Sequence, residues 1–176
     1  MFNGTTAFNQ PLSNWITTNV TTMSQMFSGA SAFNQDIGGW DVSNVTNMGA
    51  MFFGASSFNQ DISTWNVSQV TAMSSLFNSA TQFNQDLSSW NVSRVTNMNQ
   101  LFAAASSFDQ DLGTWDISSV TAMNGMLTGA NLSTANYDAT LSGWATLDAA
   151  ETQVPSNITF DGGTSQYCDS EVDRQA

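Results

Sequence analysis

Residues 45–69 read VTNMGAMFFGASSFNQDISTWNVSQ, and the same pattern flanks them at a fixed step of 25 residues. Trp65 belongs to a series with Trp15, Trp40, Trp90 and Trp115. Phe58 recurs as Phe8, Phe33, Phe83 and Phe108, and Gln60 as Gln10, Gln35, Gln85 and Gln110. The pair Val45-Thr46 returns as Val20-Thr21, Val70-Thr71, Val95-Thr96 and Val120-Thr121. Met48 and Ala55 belong to comparable series that run from Met23 to Met123 and from Ala30 to Ala130. So strict a period predicts coils stacked in order, each contacting its neighbours, with identical side chains lying over one another.

Within one unit, Met48, Met51, Phe52 and Ala55 are spaced 3, 1 and 3 apart, as on one face of a helix. Thr46 is a good N-cap and Gly54 a good terminator. The expectation is two turns of helix over 47–53, with equivalents near 22–28, 72–78, 97–103 and 122–128. Trp65 and Val67 alternate about Asn66, which predicts a very short strand. Such strands, stacked in parallel about 4.8 Å apart, would give a rod about 25 Å long. The repeat region is therefore 1–130. Beyond it the register slips by four residues at Asn131–Thr134, and Tyr137 and Trp144 restore the spacing of Phe108 and Trp115. Residues 131–176 are expected to be an irregular C-terminal cap, with Ile158 and Phe160 as an edge strand beside the turn Asp161-Gly162-Gly163. Met1-Phe2 is in register with Met26-Phe27. The expectation is a segment of a longer array that starts inside a coil and is cut short after the cap.

Composition narrows the chemistry. The 176 residues carry 14 acids, two arginines, no lysine and no histidine, for a net charge of −12. Without histidine there is no Ser-His-Asp triad and no imidazole metal site. The single cysteine, Cys168, excludes an internal disulfide framework. Phosphate recognition needs cationic side chains, and Arg94 and Arg174 are the only ones, so nucleic acid is not an expected partner. No apolar run is long enough to span a bilayer, and no signal peptide is legible at the N-terminus.

The motif W-[DN]-[VI]-S-x-V-T-x-M followed by A-x-x-F-[ND]-Q-[DP]-[LI] recurs with few departures over residues 1–130. It resembles the repeat of bacterial BspA-like leucine-rich-repeat surface proteins. The resemblance implies an α/β fold, a leucine-rich-repeat-like right-handed solenoid with one short parallel strand and one short helix per coil. It implies an extracellular or cell-surface location and a role in adhesion or recognition, and it supplies no catalytic residues. Departures include Ile16-Thr17 in the first unit and Leu127 in place of phenylalanine.

The repeated polar positions are the candidate sites. Indoles can stack on sugars, but a tryptophan paired with a valine two residues on reads as core. Gln35, Gln60, Gln85 and Gln110 would stack as an amide ladder. Asp36, Asp61, Asp86 and Asp111 would form an acidic column. Its repulsion a calcium ion could relieve, or its carboxylates could cap local turns instead. Asp41, Asn66, Asn91 and Asp116, with Ser43, Ser68, Ser93 and Ser118 two residues on, would form an outward ribbon. That ribbon is the expected binding face for a protein or glycan on another cell or surface. A stalk or spacer role is the alternative, with ice binding a minor one. Seven N-x-[ST] sequons, at Asn3, Asn19, Asn44, Asn66, Asn91, Asn131 and Asn157, would carry glycans only in a eukaryotic source. Acids in equivalent surroundings lack the paired, unequal environments of a glycosidase, so a non-enzymatic role is expected.

Overall fold

A computed structural model describes residues 1–146 together with Phe160 and Gly162. The expectations placed on Ile158, Cys168 and the Asn157 sequon lie outside the described residues. Successive units are joined by single-residue parallel bridges at Thr22, Asn47, Ala72, Asn97 and Ala122. Each unit of 25 residues is thus one winding stacked on the next.

The segment 47–53 and its equivalents are not helical. They are runs of tight turns in which the odd and even amides do different work. Met51 N–H donates to Met48 O, Phe53 N–H to Ala50 O and Ala55 N–H to Phe52 O, at 3.0–3.2 Å. The alternate amides leave the coil: Met48, Ala50, Phe52 and Gly54 donate to Ala72, Ser74, Leu76 and Asn78, at 2.7–3.0 Å. Left-handed residues make the alternation possible. Gln25, Ala50, Ser75 and Gln100 have φ of 53–57°, and the column Gly29, Gly54, Ser79 and Ala104 has φ of 55–71°. A non-glycine residue there costs about 1–2 kcal/mol. The inter-coil bonds, made in register by every winding, offset that cost. Spacing of 3, 1 and 3 points Met48, Met51, Phe52 and Ala55 inward on consecutive turns as well as it would on a helix. The threonines correspondingly do not cap helices. Thr46, Thr71, Thr96 and Thr121 each donate N–H and Oγ1–H to the threonine carbonyl one coil back, at 2.9–3.2 Å. The bridges also lie at Asn47 and its equivalents, not at the expected strand Trp65–Val67, which is irregular and sits between turns.

The core is a set of side-chain columns. Phe27, Phe52, Phe77 and Phe102 are fully buried and stack with ring centroids 5.5–5.7 Å apart. Beside them run Phe33, Phe58, Phe83 and Phe108 at 5.9–6.3 Å. Within a coil the two phenylalanines lie face to face at 3.9–4.0 Å. The parallel inter-coil pairs, with centroids 5.5–6.3 Å apart, lie in the range where aromatic pairs add about 0.5–1.5 kcal/mol beyond burial. The indoles are core residues with a satisfied polar edge. Trp40, Trp65, Trp90 and Trp115 donate Nε1–H to the carbonyls of Leu12, Ile37, Ile62 and Leu87 one coil back, at 2.9–3.2 Å.

The four-residue slip after Ala130 builds a helix, α1 (Thr134–Ala145), where an irregular segment was expected. Ser133 is its N-cap, its Oγ accepting from Asn136 N–H. Tyr137 and Trp144 are buried in the same core cluster, and Trp144 Nε1–H donates to Leu112 O at 2.9 Å, as Trp115 does to Leu87 O. Gly143 lies so close to the Gly113 backbone that a Cβ there would overlap it. Phe160 bridges Met123 in parallel and meets Trp144 edge-on at 5.6 Å.

Candidate functional site

The outward ribbon is built from repeated side-chain-closed turns. Asn66 Oδ1 accepts from Ser68 N–H at 3.2 Å and Ser68 Oγ–H at 2.7 Å. Asn91 and Ser93 repeat this at 3.1 and 2.7 Å, and Asp116 and Ser118 at 2.9 and 2.6 Å. Asp41 Oδ1 accepts from Ser43 N–H at 3.0 Å. The Ser43 hydroxyl and N–H hold the Asp41 carboxyl below its ordinary value. The structure therefore brings each expected pair together. It also commits one oxygen of every Asn or Asp to the turn, so the chemistry left for a partner is narrower than the sequence implied. Next to the pairs run Asn44, Gln69 and Arg94. Asn44 Nδ2 donates to Thr18 O at 2.8 Å and Arg94 Nη1 to Gln69 Oε1 at 2.6 Å. Arg94 is the one arginine among the described residues, and the ribbon is otherwise neutral to acidic.

The acidic column caps turns. Asp36, Asp61, Asp86 and Asp111 each accept, through Oδ1, the N–H two residues on, at 2.8–2.9 Å. The bonds from Ser63 hold Asp61 below the ordinary carboxylate range. Those from Ser88 do the same for Asp86, against burial and the like charge of Asp61, which push it up. Among the described residues no three His, Cys, Asp or Glu side chains come together as a ligand set.

The expected glutamine ladder is an asparagine ladder. Asn34 Oδ1 accepts from Asn59 N–H at 3.0 Å and Gln60 Nε2–H at 2.9 Å. Asn9, Asn59 and Asn84 do the same for the coils that follow them. Glutamine is the donor to the preceding coil and not a link to the next glutamine. The repeated asparagine in F-N-Q carried this signal, because its short amide can reach only the adjacent winding. At the end of the ladder Asp109 replaces asparagine and holds the cap. Its Oδ1 accepts from Ser133 N–H, Ser133 Oγ–H and Asn136 Nδ2–H at 2.7–2.9 Å. Burial pushes the Asp109 carboxyl up, but these bonds outweigh it and leave the group below its ordinary value.

Residues 1–71 and 35–144 match the family described as "Mycoplasma protein of unknown function, DUF285". The chain belongs to the DUF285 family. No curated protein and no solved structure matches it. The DUF285 match runs through the repeats and ends within α1 at Trp144, so it takes in the buried Tyr137 and Trp144 of that helix. Among the described residues no helix is long and apolar enough to cross a membrane.

Proposed function

We propose that this DUF285 chain is a non-enzymatic adhesion or recognition module of the extracellular or cell-surface kind. In this reading its stacked units form a leucine-rich-repeat-like right-handed solenoid in which consecutive turns stand where a helix was expected. The BspA-like surface proteins are its nearest functional analogy. The observation that carries the reading is the ribbon: four coils present D-V-S-N, N-V-S-Q, N-V-S-R and D-I-S-S from equivalent turns. Repetition of one small polar motif on a stiff array offers many weak contacts to a protein or glycan. The carboxylates close turns in equivalent surroundings, which does not supply the unequal pair that acid–base hydrolysis needs.

The test is binding to a glycan array and to an array of purified extracellular proteins. The paired variant Asn66→Asp with Asn91→Asp keeps the turns, as Asp116 shows, and adds two negative charges. Binding by the parent chain that falls at least tenfold in the variant supports the ribbon as the recognition face. Absence of binding on both arrays, or binding indifferent to the variant, overturns the reading in favour of a spacer.

A further inference from the structure

We propose that the junction of Asn124 and Gly125 is a site of spontaneous covalent ageing, at which Asn124 loses ammonia and becomes aspartate or isoaspartate in the folded chain. Among the described residues three asparagines precede a residue small enough for its backbone nitrogen to reach the side-chain amide: Asn3 before Gly4, Asn78 before Ser79 and Asn124 before Gly125. The reaction uses that nitrogen as nucleophile. A nitrogen whose N–H is held in a hydrogen bond gives up its proton only when the bond opens. Gly4 N–H donates to Ser28 O and Ser79 N–H to Ala103 O, each at 2.7 Å. Gly125 N–H donates to nothing among the described residues, and Phe160, which bridges Met123, takes no bond from it.

The stack explains the difference. In the column that reaches Gly125, the amides of Gln25, Ala50, Ser75 and Gln100 each donate to a carbonyl of the following coil at 2.8–2.9 Å. After the coil of Gly125 the chain turns into α1, which packs on Leu112 and Gly113 instead. The side chain is equally available. Asn124 is exposed and its amide group bonds to none of the described residues, whereas Asn99 Oδ1, one coil back, is held by Asn124 N–H at 2.7 Å. Gly125 has no Cβ to obstruct ring closure, and it holds φ at 62° in the turn that Met126 N–H closes onto Met123 O at 3.2 Å. Turning the Asn124–Gly125 peptide toward the side chain costs the bond from Gln100 N–H to Asn124 O, but none from the attacking nitrogen itself.

The step balances with water alone. The Gly125 nitrogen attacks Asn124 Cγ, its proton passes to the departing amide nitrogen, and ammonia leaves a cyclic succinimide. Water then opens the ring, at Cγ to give aspartate or at the main-chain carbonyl to give isoaspartate. Either product adds one negative charge to a chain already at −12. Isoaspartate also lengthens the main chain by one carbon inside the turn.

The experiment incubates the full chain in mildly alkaline buffer, folded and in guanidinium, and follows each asparagine by peptide mass spectrometry. An isoaspartyl methyltransferase assay reads the rearranged product. Comparing each site with itself, folded against unfolded, separates the effect of the fold from that of the neighbouring residue. Folding should slow Asn3 and Asn78 at least about tenfold more than it slows Asn124. Amide exchange read by NMR checks the premise: Gly125 N–H should exchange at least about tenfold faster than Ser79 N–H. Gly125→Gln, which sets here the residue that Gln100 carries at a similar positive φ, should suppress conversion while Tm shows the stack intact. Protection of Asn124 equal to that of Asn78, conversion of Asn3 ahead of Asn124 in the folded chain, or a Gly125 amide as slow to exchange as that of Ser79 would overturn the proposal.

Discussion

Replacing Phe77 by alanine tests whether the aromatic columns hold the stack together. Phe77 is fully buried. It lies between Phe52 at 5.6 Å and Phe102 at 5.5 Å, with Phe83 face to face at 3.9 Å and Trp90 tilted at 6.4 Å. Truncation removes the ring from all four partners in mid-stack, where neither neighbouring coil can collapse without breaking its own inter-coil bonds. A loss of about 3–5 kcal/mol is expected, the range for a buried phenylalanine. That corresponds to a fall in Tm of roughly 6–20 °C for a chain of this size. Phe2 is the matched control. It has the same place in the column, with Phe8 at 3.9 Å and Phe27 at 5.6 Å, but no ring on its N-terminal side, and it is only half-buried. Phe2→Ala should cost less than half as much, about 1–2 kcal/mol. Urea unfolding followed by tryptophan fluorescence and by far-ultraviolet circular dichroism gives both values. The mid-stack lesion should also separate the two probes, since a stack is held only by nearest neighbours. Equal losses at Phe77 and Phe2 would refute the claim that continuous ring columns carry the stability.

Three further outcomes follow from the same geometry. Trp90→Phe keeps most of the ring but loses the 3.1 Å bond to Ile62 O, a carbonyl that still accepts Trp65 N–H. A cost of about 2 kcal/mol in urea unfolding is expected, and a smaller one for Trp15→Phe at the exposed end. Thr140→Val removes the buried acceptor of Leu112 N–H at 2.9 Å; it should cost about 1–3 kcal/mol, read as faster hydrogen exchange in α1. Asp109 has a folded pKa below its unfolded one, so its stabilisation is complete above about pH 4 and fades as pH falls through the folded value. Asp109→Asn keeps the ladder, as Asn34, Asn59 and Asn84 do, and should flatten the loss of Tm between pH 5 and about pH 2. Parallel acid curves for parent and variant would exclude this role for Asp109.

The repeat period and the side chains that fill the core were legible because each column is an uninterrupted series, from Trp40 to Trp115 and from Phe33 to Phe108. The conformation joining them was not. Met48, Met51, Phe52 and Ala55 satisfy a helix and a run of turns equally well; of the deciding left-handed columns, the one at Gln25, Ala50, Ser75 and Gln100 reaches a glycine only at Gly125, and the glycines of the other, Gly29 and Gly54, suit a helix terminator as well. Their stability comes from carbonyls 24 positions away in sequence, as for Ala50 and Ser74, which local propensity cannot register. The cap shows the same division. Tyr137 and Trp144 are legible as further core residues, while α1 depends on Ser133, Asp109 and the Gly113–Gly143 contact, which only the packed chain brings together. At the ribbon the residues were readable but the turns that consume their oxygens were not.

The backbone bonding also sets neighbouring peptide groups against one another. The N–H groups of Met48, Ala50, Phe52 and Gly54 point toward the next coil, while those of Thr46, Ser57 and Asn59 point toward the preceding one. The Ile62 carbonyl likewise faces the next coil, where it accepts from Trp90 Nε1–H. Peptide dipoles of about 3.5 D each therefore oppose one another within a winding and largely cancel along the stack, where those of an α-helix would add.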